Sequence, residues 1–78
     1  MQELTLYLMH TCPFCYKVLK FMEQNGVELP IKDINSDPAL RDELIKIGGK
    51  KQVPCLVIDG KALYESDDII QWLTDNKV

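Results

Sequence analysis

The feature that most constrains the fold is the succession, near the N-terminus, of an apolar run, a helical stripe and a second apolar run. Residues 4 to 9, Leu-Thr-Leu-Tyr-Leu-Met, are nearly all apolar, which suits a strand covered on both faces. Residues 13 to 25 carry Phe14, Val18, Leu19, Phe21 and Met22 at helical spacing, with Pro13 suited to the first helical position and Gly26 to the position just past the end. Residues 29 to 34 read as a second strand. A strand, a helix and a strand joined so closely form a parallel pair with a right-handed crossover. Pro30 cannot donate to a ladder, so the second strand belongs at a sheet edge.

The rest of the chain continues the alternation. Asp37-Pro38 opens a helix with Leu40, Leu44, Ile45 and Ile47 on its apolar stripe, stopped by Gly48-Gly49. Cys55-Leu56-Val57-Ile58, Asp59-Gly60 and Lys61-Ala62-Leu63-Tyr64 form the pattern of a hairpin whose two-residue turn needs positive φ. Ser66 is placed to cap a last helix, with Asp67 and Asp68 in its first turn and Ile69, Ile70, Trp72 and Leu73 on its apolar face. The expected order is βαβαββα: an α/β fold with a mixed four-stranded sheet and helices on both faces. Its 78 residues predict a single domain over 1–78, near the lower size limit for a core without crosslinks.

Composition narrows the function classes. The hydrophobic share of 46% is that of a globular chain. No apolar run approaches the ~20 residues of a membrane span. Net charge is −3, and the nine Lys and Arg residues are spread out, with Lys50-Lys51 the one adjacent pair. Neither a nucleic-acid partner nor a membrane is expected. Met1-Gln2-Glu3 leads straight into the first strand without the features of a leader, so a cytoplasmic location is expected. Three cysteines in such a compartment point to reactive or metal-binding thiols more than to a disulfide framework.

Cys12 falls where the first strand ends and the first helix begins, among the unsatisfied N–H groups and partial positive charge of the helix N-terminus. That environment lowers a thiol pKa from about 8.5 and raises the thiolate fraction. Cys15, one turn on, lies on the same side but deeper, where it can attack a mixed disulfide formed at Cys12. Two other readings of these residues stay open. The pair could be buried core cysteines, or His10, Cys12, Cys15 and Cys55 could supply four zinc-type ligands.

The chain resembles the glutaredoxins of the thioredoxin superfamily over essentially its whole length. Four features carry the resemblance: Leu6-Tyr7 leading into Cys12-Pro13-Phe14-Cys15, the Val53-Pro54 dipeptide, the Asp59-Gly60 turn, and Ser66-Asp67-Asp68. It implies a cis Pro54 lying against the Cys12 loop, and a Val53 backbone that pairs with glutathione like an added strand. It also implies that Ser66 and Asp67 hold the γ-glutamyl end, that Gln52 hydrogen-bonds the ligand, and that Phe14 flanks the thiol. Against the family pattern, Met9 stands where a Lys is common, Gln52 where Thr is frequent, and Tyr64-Glu65 where Gly-Gly is usual. Lys50, Lys51 or His10 would have to replace the missing cation. Glu65-Ser66 is also similar to the acidic-Ser pair of glutathione S-transferase N-terminal domains. Cys55 is either a small buried hydrophobe or an additional resolving thiol.

The resemblance implies a monomeric, glutathione-dependent thiol-disulfide oxidoreductase with Cys12 as nucleophile and Cys15 as resolving thiol. Its partners would be glutathione and disulfide-containing or glutathionylated proteins, with glutathione as co-substrate and no metal expected. The alternatives are a thioredoxin-reductase-coupled electron donor, an iron-sulfur or zinc-binding module, and a catalytically idle adaptor.

Overall fold

The computed structural model describes residues 3–77; Met1 and Gln2, read above for a leader, and Val78 lie outside them. Seven elements follow in the expected order: β1 (Leu4–Leu8), α1 (Pro13–Asn25), β2 (Ile31–Asp33), α2 (Pro38–Gly48), β3 (Cys55–Ile58), β4 (Lys61–Leu63) and α3 (Ser66–Asn76). They build one sheet of order β2-β1-β3-β4. β1 runs parallel to β2, with Leu6 opposite Ile31 and Leu8 opposite Asp33. β1 runs antiparallel to β3, with Leu4 opposite Ile58 and Tyr7 opposite Cys55, and β3 runs antiparallel to β4.

The near-continuous apolar run of β1 is explained by burial on both faces. Leu4, Leu6 and Leu8 join Leu56 of β3 and Cys15, Val18, Met22, Ile69 and Leu73 of α1 and α3 in one core. Tyr7 joins Ile34, Leu44, Cys55 and Val57 in a second core under α2. The period-2 alternation of a strand thus serves two cores at once.

Local chemistry sets the element ends. Gly26 closes α1 with φ 66°, its N–H on the Met22 carbonyl, the left-handed ending that glycine adopts without cost. The Asp37 carboxylate caps α2 by accepting the Ala39 N–H at 2.9 Å. Asp59 and Gly60 turn the hairpin with φ values of 50° and 86°, matching the handedness that two-residue hairpin turns require.

The structure trims or corrects four expectations. β1 ends at Leu8, because the Met9 carbonyl turns back to accept the Cys12 N–H at 3.1 Å. β2 begins at Ile31; Pro30 stands just before it, accepting from the Leu6 N–H at 2.9 Å while offering no donor. Ile45 is exposed although it was placed on the α2 stripe. Adjacent helical residues point about 100° apart, and Leu44 takes the position facing the sheet. Ser66 is not the cap of α3. Glu65 occupies that position with φ 71°, its carbonyl accepts the Ile69 N–H at 3.0 Å, and Ser66 becomes the first helical residue, buried.

Candidate active site

β1 delivers the chain to a tight turn, Met9 to Cys12, and α1 starts at once with Pro13. Cys12 occupies the N-cap position with extended backbone (φ −92°, ψ 123°) and is half-buried. An N-cap side chain faces the N–H groups of the second and third helical residues, which here are Phe14 and Cys15. Pro13 has no N–H, so nothing is lost at the first position. The Cys12 sulfur makes no strict capping hydrogen bond. The N–H groups of Cys15 and Phe14 nevertheless aim at it closely enough to favour its anion. Partial burial pushes the Cys12 thiol up, but these two N–H groups and the Cys15 thiol together outweigh burial and bring it below its ordinary value. No acidic residue stands in the first turn of α1 to oppose the charge.

Cys15 is different in kind. It is fully buried in the α1/α3 core, and its sulfur accepts the Met9 N–H at 3.5 Å. Burial pushes its thiol up to about 11, and the neighbouring Cys12 adds to the rise. Two thiols one helical turn apart are therefore separated into an accessible sulfur that ionises readily and a sheltered one that keeps its proton.

At the start of α1 lies a cleft of about 340 Å³ lined by Phe14, Lys17, Gln52, Val53, Pro54, Glu65, Ser66 and Asp67. The fold thus brings together Phe14, Gln52, Val53, Pro54, Ser66 and Asp67 from three separate stretches of chain. The Val53-Pro54 peptide bond is cis, and Val53 packs on the same core as Cys12. Gln52 donates its amide to the Glu65 carboxylate at 3.2 Å. Phe14 is 63% exposed, so it belongs to the rim of the site and not to the core.

One lining residue escaped the sequence reading. Lys17, one turn beyond Phe14, pairs with Asp67 across the cleft. Its one readable signal was a cation at helical spacing from Phe14. Glu65 forms part of the same wall, and its positive φ stands where the resemblance has glycine, the residue that adopts such a backbone freely.

Two of the expected cation replacements are engaged elsewhere. Lys50 lies over the Tyr64 ring, 4.6 Å from its centroid, and His10 Nδ1 lies 2.5 Å from Asp33 Oδ2. Met9 packs against the α2-side core. Cys55 is also in that core, fully buried, on the face of the sheet opposite Cys15. Cys55 is thus held apart from the cysteine pair. Among the described residues, no group of three or more His, Cys, Asp or Glu side chains converges as metal ligands.

Residues 4–63 match the glutaredoxin family pattern. The chain belongs to the glutaredoxin family. It is 30% identical over 69 residues to glutaredoxin 3 of Escherichia coli K12, a match covering 88% of this chain and 83% of that protein. A glutaredoxin structure from Archaeoglobus fulgidus superposes with a TM-score of 0.72 over 91% of this chain and 85% of that one; at 24% identity it supports the fold. A glutathione transferase Omega 3C structure from Trametes versicolor superposes with a TM-score of 0.79 at 28% identity, over 96% of this chain and 34% of that one. This glutaredoxin is a thiol-disulfide oxidoreductase, and glutathione is the family's co-substrate. The family match ends at residue 63, so the Glu65–Asp67 wall of the cleft lies beyond it.

Proposed function

We propose that Cys12 is the nucleophile, that Cys15 is the resolving thiol, and that glutathione or a glutathionylated protein occupies the cleft between Phe14 and Asp67. The observation that carries this reading is the split between the two sulfurs. Cys12 sits at the helix cap with N–H groups aimed at it, whereas Cys15 is fully buried and holds its proton up to about 11.

The Cys12 thiolate attacks the glutathionyl sulfur of a mixed disulfide. A Cys12–glutathione bond forms and the protein thiolate leaves. A second glutathione thiolate attacks that bond, releasing glutathione disulfide and restoring the Cys12 thiolate. With a protein disulfide, Cys12 forms the mixed disulfide first. Cys15 then loses its proton, closes on Cys12 and expels the second protein thiol, and two glutathione molecules reduce the resulting Cys12–Cys15 bond.

In the cleft, the Val53 backbone pairs with the cysteinyl portion of the ligand as an added strand. Gln52 binds its backbone. Ser66 and the N-terminus of α3 receive the γ-glutamyl carboxylate, while Asp67 binds its ammonium. We read the enzyme as a monomeric single domain acting on cytosolic disulfides. Among the described residues, no helix is long and apolar enough to cross a membrane.

The test is a pair of substitutions assayed with a glutathionylated peptide. Cys12→Ser is expected to lose at least about a hundredfold in rate, as removal of a covalent nucleophile does, and Cys15→Ser to keep the glutathione route. Full activity in Cys12→Ser would overturn the assignment.

A further inference from the structure

Tyr64 stands outside the lining of the cleft yet touches what holds both of its walls. Its hydroxyl lies against Gly48, the last residue of α2. A Cβ at Gly48 would come within 1.8 Å of the Tyr64 hydroxyl oxygen, 2.7 Å of its Cζ and 3.0 Å of the Ala62 Cβ. Gly48 is helical and has no positive φ, unlike Gly26, Gly49 and Gly60. Its missing side chain therefore serves space and not backbone conformation. Into that space the Tyr64 hydroxyl donates to the Lys50 carbonyl at 3.1 Å, and the Lys50 ammonium lies 4.6 Å from the centroid of the same ring. Two residues on from Lys50 and one on from Tyr64, Gln52 donates to the Glu65 carboxylate at 3.2 Å.

The segment from Lys50 to Pro54 carries no regular structure before β3 begins. Left to itself it would sample many backbone conformations, and each would have to be given up when a ligand pairs with it. The tyrosine ring, wedged against α2 and tied to Lys50 from β4's end, fixes the start of this segment. It does so from the residue directly before Glu65, which opens the opposite wall.

We propose that Tyr64 is a positioning residue, a strut seated in the gap at Gly48 that sets the Gln52–Pro54 wall against the Glu65–Asp67 wall and so prepares the cleft for glutathione. This rests on the reading of that cleft as the glutathione site. A chain with glycine at position 64 would bind the same ligand only after ordering the segment itself.

The experiment measures KM for glutathione, kcat, and the pH profile of Cys12 alkylation by iodoacetamide in Tyr64→Gly, Tyr64→Phe, Gly48→Ala and, as a control on the cleft, Asp67→Asn. Tyr64→Gly and Gly48→Ala are expected to raise KM by about fivefold or more and Tyr64→Phe by about twofold, the effect of losing preorganisation. The alkylation profile and kcat should stay at wild-type values, which general loosening of the fold would not leave intact. If Asp67→Asn raises KM and the folded Tyr64 and Gly48 variants do not, the strut is wrong and the cleft assignment stands. If none of the four changes KM, the cleft assignment fails with it. Should Tyr64→Gly not fold, Tyr64→Phe and Gly48→Ala decide the matter by the same measures.

Discussion

At Cys12 a helix-capping position and a thiol coincide, and that coincidence gives two identical side chains different ionisation. The sulfur takes the place of a capping oxygen, so the donors that Pro13 leaves unopposed, Phe14 and Cys15 N–H, favour its thiolate. Cys15 receives burial in exchange. This was legible from spacing alone, because Cys-Pro-x-Cys at a strand-helix junction fixes both the cap and the turn. The position of Cys55 was not legible. A cysteine next to Pro54 could face either side of the sheet, and only the register Tyr7 opposite Cys55 sends it to the α2 side. Cys55→Ala should therefore leave the Cys12–Cys15 disulfide intact on oxidation, while costing about 1–2 kcal/mol of stability for the small cavity it opens. Mass spectrometry of the oxidised variant checks the first outcome and urea unfolding the second. A missing disulfide would show that Cys55 takes part.

Among the elements, those with strong end signals were read nearly to the residue. Pro13 and Gly26 bracket α1, Asp37 and Gly49 bracket α2, and Asp59-Gly60 turns the hairpin. The misreading at α3 has a physical source. Serine is a good cap, and nothing in composition announces that Glu65 adopts φ 71° and takes the cap position instead. Functional walls are where local preference is overridden by context. The α2 cap, by contrast, is ordinary. Asp37→Ala should cost about 1 kcal/mol, the loss of one side-chain cap, and lower the melting temperature by roughly 4–8 °C for a domain of this size. Cys12 alkylation should be unchanged, since α2 lies across the sheet from the thiol. A cap variant with altered thiol reactivity would contradict this separation.

For the molecule as a whole, the two-sided sheet was legible from the apolar run of β1 and the βαβ start, whereas the meeting of the cleft walls was implied by the family resemblance alone and not by periodicity. Gln52 to Pro54 and Glu65 to Asp67 are separated by the hairpin in sequence and meet only after it folds back. The same burial that makes the two cores links stability to pH. Burial holds Cys15 and Cys55 protonated up to about 11, whereas an unfolded thiol titrates near about 8.5. Between these values the folded state binds more protons, so stability is fully present below about pH 8.5 and is lost as pH rises toward 11. Tyr7, raised by burial and by its bond to Glu43, adds to the loss above about pH 10, whereas Cys12, shifted the other way, adds stability as pH rises toward about 8.5 and is constant above it. Thermal melting should show a midpoint that falls steadily above about pH 8.5, the fall being smaller in Cys55→Ala. A midpoint that holds or rises from about pH 8.5 toward 10 would contradict the burial of the two thiols.

The most direct measurement is the rate of Cys12 alkylation by iodoacetamide as a function of pH, followed by mass spectrometry to assign the modified sulfur. A helix-cap thiolate predicts modification of Cys12 alone at neutral pH, with a midpoint clearly below the ~8.5 of a free thiol. A midpoint at or above that value, or modification of Cys15 before Cys12, would contradict the account.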